Sequence, residues 1–328
     1  MNVFVVSAGF LTSVQDLGRV GFRQSGVSVG GALDSHAMRV ANVLVNNERT
    51  AAGLEATMGA VRLRFEDQRM VAWCGGPFTV RIGDDDLPPG HAGLVKRNEE
   101  LIMTAPRESA RAWLAISGGI DVPLVLRSRS TDLRSAFGGY EGRTLRDGDR
   151  LPLGAPSVSV ERATKIFSNR RVVRWTAPSS WIKTIPGPWI LRFIRGQHWS
   201  SFTAEAQESF VEAPFAVTSD SDRMGVRLEG TNLGRIDSAD LLSEAVVPGT
   251  VQVPPNGRPI LLLGDCQTIG GYPRIAEVIT VDLPVAAQLW PDNPVHFHEV
   301  SLGEAQALLR EREEDFARFR TGLSLQFS

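Results

Sequence analysis

Lysine is almost missing from this chain. Lys96, Lys165 and Lys183 are the only three, so nearly all positive charge is arginine. Any carboxylate or phosphate bound by a cation would therefore meet a planar guanidinium fork, which takes two oxygens at once. Cysteine is equally scarce. Cys74 and Cys266 stand far apart without a CxxC neighbour, which argues against a disulfide framework or a cysteine metal site and for two buried thiols. No apolar run approaches the roughly 20 residues of a bilayer span. The opening Met1-Asn2-Val3-Phe4-Val5-Val6 lacks the basic start and small-residue cleavage site of a signal peptide, so a cytoplasmic protein is expected. Net charge is −2 with acids and bases interspersed, leaving no basic footprint for nucleic acid or an anionic membrane.

Several catalytic signatures are also missing. There is no GxxxxGKS/T loop for a nucleotide triphosphate and no GxGxxG opening a helix after a strand. There is no HExxH motif and no Met-Lys-Met setting for a biotinyl lysine. His296 and His298 share one face of a strand but have no third ligand near them in sequence. Asp84-Asp85-Asp86 lacks the spacing of a calcium loop and reads as a solvated hairpin tip, so no metal site is expected. A nucleotide or biotinyl group, if the chemistry needs one, arrives on a partner.

What is present reads as strands. Val61-Arg62-Leu63-Arg64-Phe65 alternates as a half-buried strand does, and Ile260-Leu261-Leu262-Leu263 is a short apolar run ended by Gly264-Asp265. Gly and Pro interrupt the chain at short intervals, as at Gly75-Gly76-Pro77, Gly138-Gly139, Pro186-Gly187-Pro188 and Pro254-Pro255. That rhythm suits barrels or sandwiches, not alternating strands and helices. Few helices are expected. One is capped by Asp34 and carries Ala37, Val40, Ala41 and Leu44 on one face; another begins near Thr203; a third runs from Ser301 to about Phe319, opened by the capping box Ser301–Glu304. A chain of 328 residues suggests two domains. The Ser-, Pro- and Arg-rich stretch 154–180 marks their junction, giving a first domain over 1–160, a second over 161–300 and a C-terminal helical arm over 301–328.

Five segments join polar residues to glycine in ways a plain barrel does not need. They are Leu11–Arg19 with Gly30–Asp34; Ser117–Pro123 with Ser128–Asp132; Gly138–Arg143 with Gly148-Asp149; Ser221–Gly230; and Ser243-Glu244 through Gln252-Val253-Pro254 to Asp265–Pro273. In this order they resemble the KipA family, also known as allophanate hydrolase subunit 2 or the C subunit of 5-oxoprolinase, over about residues 7 to 310. The resemblance implies a mainly β fold: two cyclophilin-like β-barrel domains with a few short helices and a C-terminal helix. It implies a hydrolase acting on a cyclic amide, one subunit of an ATP-dependent 5-oxoprolinase complex that opens 5-oxo-L-proline to L-glutamate. The implied partners are a related β-barrel protein, KipI-like and serving as the B subunit of 5-oxoprolinase, and a LamB-like A subunit. Two alternatives come with the family. One is the carboxyltransferase part of a biotin-dependent urea carboxylase, with biotin on the partner; the other is a regulatory protein that antagonises a kinase inhibitor.

Either reaction polarises an amide-like carbonyl while its nitrogen gains or loses a substituent. That asks for fixed donors at the oxygen and an acid or base at the nitrogen. Arg223, beside Asp222 and Met224-Gly225, is the leading donor for a carboxylate or carboxybiotin oxygen. Asp265 and Gln267 follow the buried strand, where a rigid element gives way to a loop, and Gln267 offers both a donor and an acceptor. These four are the catalytic candidates. For substrate binding, Gly270 and Gly271 would let backbone N–H groups approach a ligand, and Tyr272 would supply a wall or a hydroxyl. Gln252, Gln15, Arg19 and His36 complete the set, although His36 also reads as the exposed first turn of the helix that Asp34 caps.

Overall fold

The computed structural model describes all residues except 107–110, 169, 183–186, 238–240 and 328, so the Pro186 breaker lies outside the described residues. The chain divides into two compact units. The first comprises Met1–Arg19, Asp34–Thr184 and Asp315–Ser328; the second comprises Val20–Leu33 and Ile185–Glu314.

In the first unit, β1 (Asn2–Ala8), β2 (Leu11–Gln15), β3 (Gly53–Thr57), β4 (Ala60–Phe65), β5 (Arg69–Gly75), β6 (Thr79–Ile82), β7 (Asp85–Asp86), β8 (Ala92–Val95), β9 (Glu100–Thr104), β10 (Arg111–Ile116) and β11 (Arg150–Pro152) form two antiparallel sheets. One runs β11-β1-β4-β9-β6-β7 and the other β2-β3-β10-β5-β8. β4 alternates as its sequence predicts: Val61, Leu63 and Phe65 are buried and the arginines between them face out. They join Val3 and Val5 of β1 and Val14, Leu54, Val71 and Leu114 of the other sheet in one apolar core. The two sheets wrap that core without closing into a hydrogen-bonded barrel among the described residues. Helix α1 (Ser35–Leu44) lies against β5 and β10, and starts where Asp34 Oδ1 accepts the Ala37 N–H at 2.8 Å. Asp84 is the exposed tip of the β6–β7 hairpin.

The stretch 154–180 is hydrogen-bonded to the first unit instead of separating two domains. The Leu94 N–H donates to Arg171 and the Val173 N–H to Ala92, each at 3.0 Å, and Ala177 donates to Gly90 at 2.9 Å. Arg171 grips Glu99 with both arms of its fork at 2.7 and 2.8 Å. Pairing to the edge strand β8 thus carries the first unit past residue 160, and it takes in α2 (Val160–Phe167) and α3 (Ser179–Ile182).

The second unit contains β12 (Trp189–Arg195), α4 (Ala204–Glu212), β13 (Phe215–Val217), β14 (Gly225–Glu229), β15 (Glu244–Ala245), β16 (Thr250–Gln252), β17 (Ile260–Leu262), β18 (Ile269–Gly270), β19 (Arg274–Val278), α5 (Leu283–Ala286) and β20 (Pro294–Glu299). Seven strands close a barrel in the order β12-β19-β16-β17-β14-β13-β20, the parallel pair β12–β20 completing the ring. β15 and β18 pair separately. α4 begins at Thr203, whose hydroxyl accepts the Ala206 N–H at 3.2 Å, and it delivers Phe210 to a buried aromatic cluster. The Phe210 ring stacks on Phe297 at 4.3 Å and meets Phe193 edge-on at 5.1 Å.

Helix α6 (Leu302–Phe327) opens on the expected capping box: Ser301 N–H donates to Glu304 at 2.8 Å and Glu304 N–H to Ser301 Oγ at 3.2 Å. It runs past Phe319, and its residues from Asp315 onward belong to the first unit. There Phe316 is buried, with its ring 6.1 Å from His36 and 6.3 Å from Trp181. Phe316 and Leu323 are the buried residues of this otherwise largely exposed C-terminal helical arm. Replacing Phe210 by Ala should cost about 3–5 kcal/mol through the cavity it leaves. Urea denaturation reads this as a lowered midpoint, and an unmoved midpoint would exclude this ring from the barrel core.

Candidate functional site

The turn before β14 and the loops 253–259 and 263–273 surround a cleft of about 460 Å³ in the second unit. Strand register sets its floor. Arg227 of β14 lies opposite Ile260 of β17, and Gln252 of β16 lies opposite the same Ile260. Alternation with period two sends their neighbours Val226, Leu261 and Val251 to the other face, where all are buried. Three adjacent strands thus present a guanidinium, an apolar side chain and a carboxamide side by side.

Both ends of the buried Gln252 carboxamide are engaged. Its Nε2 donates to the Tyr272 carbonyl at 3.1 Å, and its Oε1 accepts from Gln267 Nε2 at 3.3 Å. Glycine at 270 leaves room for this approach: a Cβ there would lie 2.8 Å from Gln252 Nε2 and the carboxamide would have to shift. Gly271 is not so confined, since a Cβ there would meet Ser243 Oγ at an ordinary 3.4 Å. The exposed Tyr272 lines the cleft, and so does Asp222. Asp222 Oδ1 also accepts the Met224 and Gly225 N–H groups at 2.7 and 3.2 Å, closing the turn into β14. Of the residues singled out in sequence, Asp222, Gln252, Gln267 and Tyr272 therefore come together, with Gly270 behind them.

Arg223 and Asp265 do something else, and neither lines the cleft. Arg223 is only 6% exposed. Its Nε and Nη2 meet the Asp265 carboxylate at 2.8 and 3.1 Å, and Nη2 also donates to the Gly31 carbonyl at 2.7 Å. A guanidinium this deep requires a counter-ion, and the bidentate fork neutralises both partners. Two backbone bonds reinforce the joint: Asp265 N–H to Arg223 at 3.1 Å and Leu263 N–H to Met224 at 2.9 Å. Expected from sequence to hold substrate, Arg223 instead supports the cleft wall.

Gln15, Arg19 and His36 lie in the first unit, and none lines this cleft. Gln15 Nε2 donates to Ser13 Oγ at 2.9 Å and to the Thr131 carbonyl at 3.3 Å. The buried Arg19 guanidinium sits 4.4 Å over the Phe137 ring and bonds the Ser130 carbonyl. Between them, Asp16 accepts from the Ser128 and Ser130 hydroxyls at 2.6 Å each, so this segment anchors the 128–131 loop. His36 is buried, not exposed, with Trp181 edge-on at 4.8 Å.

Two arginines escaped the sequence reading. Arg227 was legible, since in Gly225-Val226-Arg227-Leu228-Glu229 alternation puts it opposite the apolar face. Arg274 left no local signal. It bonds Glu244 at 2.6 Å and also Gln197, partners 30 and 77 residues away. Its backbone N–H donates to His198 Nδ1 at 3.2 Å. Burial holds the His198 imidazole below its ordinary range, against the pull of Glu244. Burial likewise lifts the Glu277 carboxyl, although Thr250 Oγ1 donates to it at 2.8 Å.

Other nucleophiles are poorly placed. Gly26-Val27-Ser28-Val29-Gly30 has the spacing of a hydrolase nucleophile elbow, which requires a strand–turn–helix. Here it follows a short 3-10 turn, and the Ser28 hydroxyl donates to the Cys266 carbonyl at 2.8 Å. Burial pushes the Cys266 thiol up to about 11 and raises Cys74 further, so neither is a thiolate at neutral pH. Among the described residues no group of three or more His, Cys, Asp or Glu side chains is placed to hold a metal, and no helix is long and apolar enough to cross a membrane.

A two-unit, mainly β chain with a seven-stranded barrel and a C-terminal helix is the architecture of a carboxyltransferase-type domain. Residues 25–299 match the family described as carboxyltransferase domain, subdomain A and B, and the chain belongs to that family. It is 40% identical to the C subunit of 5-oxoprolinase from Escherichia coli, over 95% of this chain and 96% of that protein. It is 33% identical to the C subunit of 5-oxoprolinase from Haemophilus influenzae, over 92% of each. The crystal structure of the K. lactis urea amidolyase superposes with a TM-score of 0.87 at 29% identity, covering 97% of this chain and 20% of that one.

Arg223→Ala should destabilise the fold by about 2–4 kcal/mol, because it leaves the largely buried Asp265 carboxylate without its counter-ion. Arg223→Lys should recover only part of that loss, an ammonium being unable to form two parallel bonds; thermal or urea unfolding of the purified variants reads both. A second expectation concerns acid. The fold favours neutral His198, so below the ordinary imidazole value of 6.5 the unfolded chain takes up the proton first. Stability then falls with pH from that value down to the lower folded one. His198→Asn keeps an acceptor for the Arg274 N–H and should flatten that slope in denaturation midpoints measured from about pH 7.5 to about pH 5.

Proposed function

We propose that this chain is the C-type component of an ATP-dependent 5-oxoprolinase and that its cleft grips the lactam of 5-oxo-L-proline. The observation that supports this reading is the tethered carboxamide of Gln267. A lactam is a cis amide, with its N–H and C=O on one edge. A primary carboxamide offers an oxygen and an N–H on one edge as well, so the two form a pair of parallel hydrogen bonds. Gln252, anchored on the Tyr272 carbonyl, holds Gln267 in advance and lowers the entropy lost on binding. A donor fixed at the lactam oxygen is what ring opening requires as charge develops there. Asp222, in the same cleft, is the acid–base candidate at the ring nitrogen.

The cleft is not lined as a triphosphate site would be: Asp220 and Asp222 line it along with Arg227 and Arg258, so these charges sum to zero, and Arg258 also pairs with Glu229 at 3.0 Å. We therefore assign the nucleotide to a partner: a related barrel protein of the B kind or a LamB-like protein of the A kind. The names of the E. coli and H. influenzae relatives support a multi-subunit hydrolase. The likeness to urea amidolyase supports a second reading, transfer of a carboxyl group from a partner's biotin to urea, which also presents N–H and C=O on one edge.

The test is to mix the purified components of the complex and follow ATP-dependent glutamate release from 5-oxo-L-proline. Gln267→Ala should lower kcat/KM by about 10²-fold, the loss of one fixed donor. A wild-type complex that releases no glutamate but carboxylates urea would establish the second reading instead.

A further inference from the structure

The cleft contains a guanidinium that the fold itself does not engage. Arg227 is exposed on β14 and lines the cleft, and among the described residues it makes no ion pair. Its backbone, by contrast, is clamped: the N–H donates to Ser221 Oγ at 3.0 Å and the carbonyl accepts the Thr218 N–H at 2.9 Å. The neighbouring Arg258 pairs with Glu229 at 3.0 Å, and Arg223 pairs with Asp265. A fixed Cα carrying an unpaired planar fork suits an anionic group with two oxygens.

The register gives the spacing. Arg227 and Gln252 flank Ile260 on three adjacent strands, so their Cα atoms stand about 10 Å apart, two strand spacings. A five-membered lactam with a carboxylate beside its nitrogen spans such a gap, its methylene groups over Ile260 and its amide edge toward the Gln267–Gln252 pair. We infer that Arg227 holds the substrate's carboxylate and makes this cleft select acidic lactams over neutral ones. The inference rests on the proposed reading that the cleft takes 5-oxo-L-proline.

The experiment uses the assembled complex, with Arg227→Ala and Arg227→Lys in this chain. Arg227→Ala should raise KM for 5-oxo-L-proline by about 30- to 100-fold while kcat stays within about three-fold, the signature of lost binding that is equal in ground and transition states. The Ki of 2-pyrrolidinone, the same ring without the carboxylate, should not change. Arg227→Lys, keeping the charge without the fork, should fall between, and it carries the same comparison if the Ala variant fails to assemble. A KM within about two-fold of wild type in an intact variant complex overturns the inference and leaves the functional reading standing. A wild-type complex that releases no glutamate from 5-oxo-L-proline overturns both.

Discussion

The loops beside the barrel of the second unit depend on a largely buried ion pair. Arg223 and Asp265 sit at the ends of two segments that the barrel brings together, the turn into β14 and the loop after β17. Their fork, with the Gly31 carbonyl as a third partner, joins these segments where water cannot. An ion pair this far from solvent gains little over an apolar filling, but losing one partner is costly because the other keeps its charge with little water to solvate it. The pair therefore holds the loops in one arrangement, and the cleft between them inherits that rigidity.

On this frame the cleft is made of ordinary parts. Strand register brings Gln252 and Arg227 to either side of Ile260. The closed loop adds Gln267 and Tyr272, and glycine at 270 lets the Gln252 carboxamide lie against the backbone. The carboxamide chain from Gln267 through Gln252 to the Tyr272 carbonyl satisfies the buried polar groups and leaves an edge for a ligand. The barrel interior is occupied by phenylalanine rings, so chemistry is left to the loops beside the strands.

The relatives divide along a chemical line that this cleft makes concrete. A lactam and a urea both present an N–H and a C=O on one edge, which a carboxamide can match with two hydrogen bonds. They differ in what hangs from that edge: on the proposed reading, Arg227 would meet the carboxylate that the lactam carries and urea does not. Family membership is thus compatible with two reactions, and the role proposed for Arg227 is what would favour the acidic lactam.

Much of the fold was legible in the residues themselves. The alternation of β4, the apolar run of β17, the caps at Asp34 and Thr203 and the box at Ser301 all concern residues a few positions apart, where backbone geometry alone sets the outcome. The five glycine-polar segments carried the family for the same reason, as local signatures in a fixed order. What escaped was pairing. From sequence Arg223 and Arg227 are near-equivalent, four residues apart on one strand approach. Only the folded barrel gives Arg223 a carboxylate 42 residues away and leaves Arg227 in the cleft, just as it buries His36 beneath Phe316 and Trp181. Local sequence determines which elements form, because hydrogen bonds and side-chain alternation repeat over a few residues. Which charge is neutralised and which stays available depends on strand register between distant segments, and tertiary structure alone decides that.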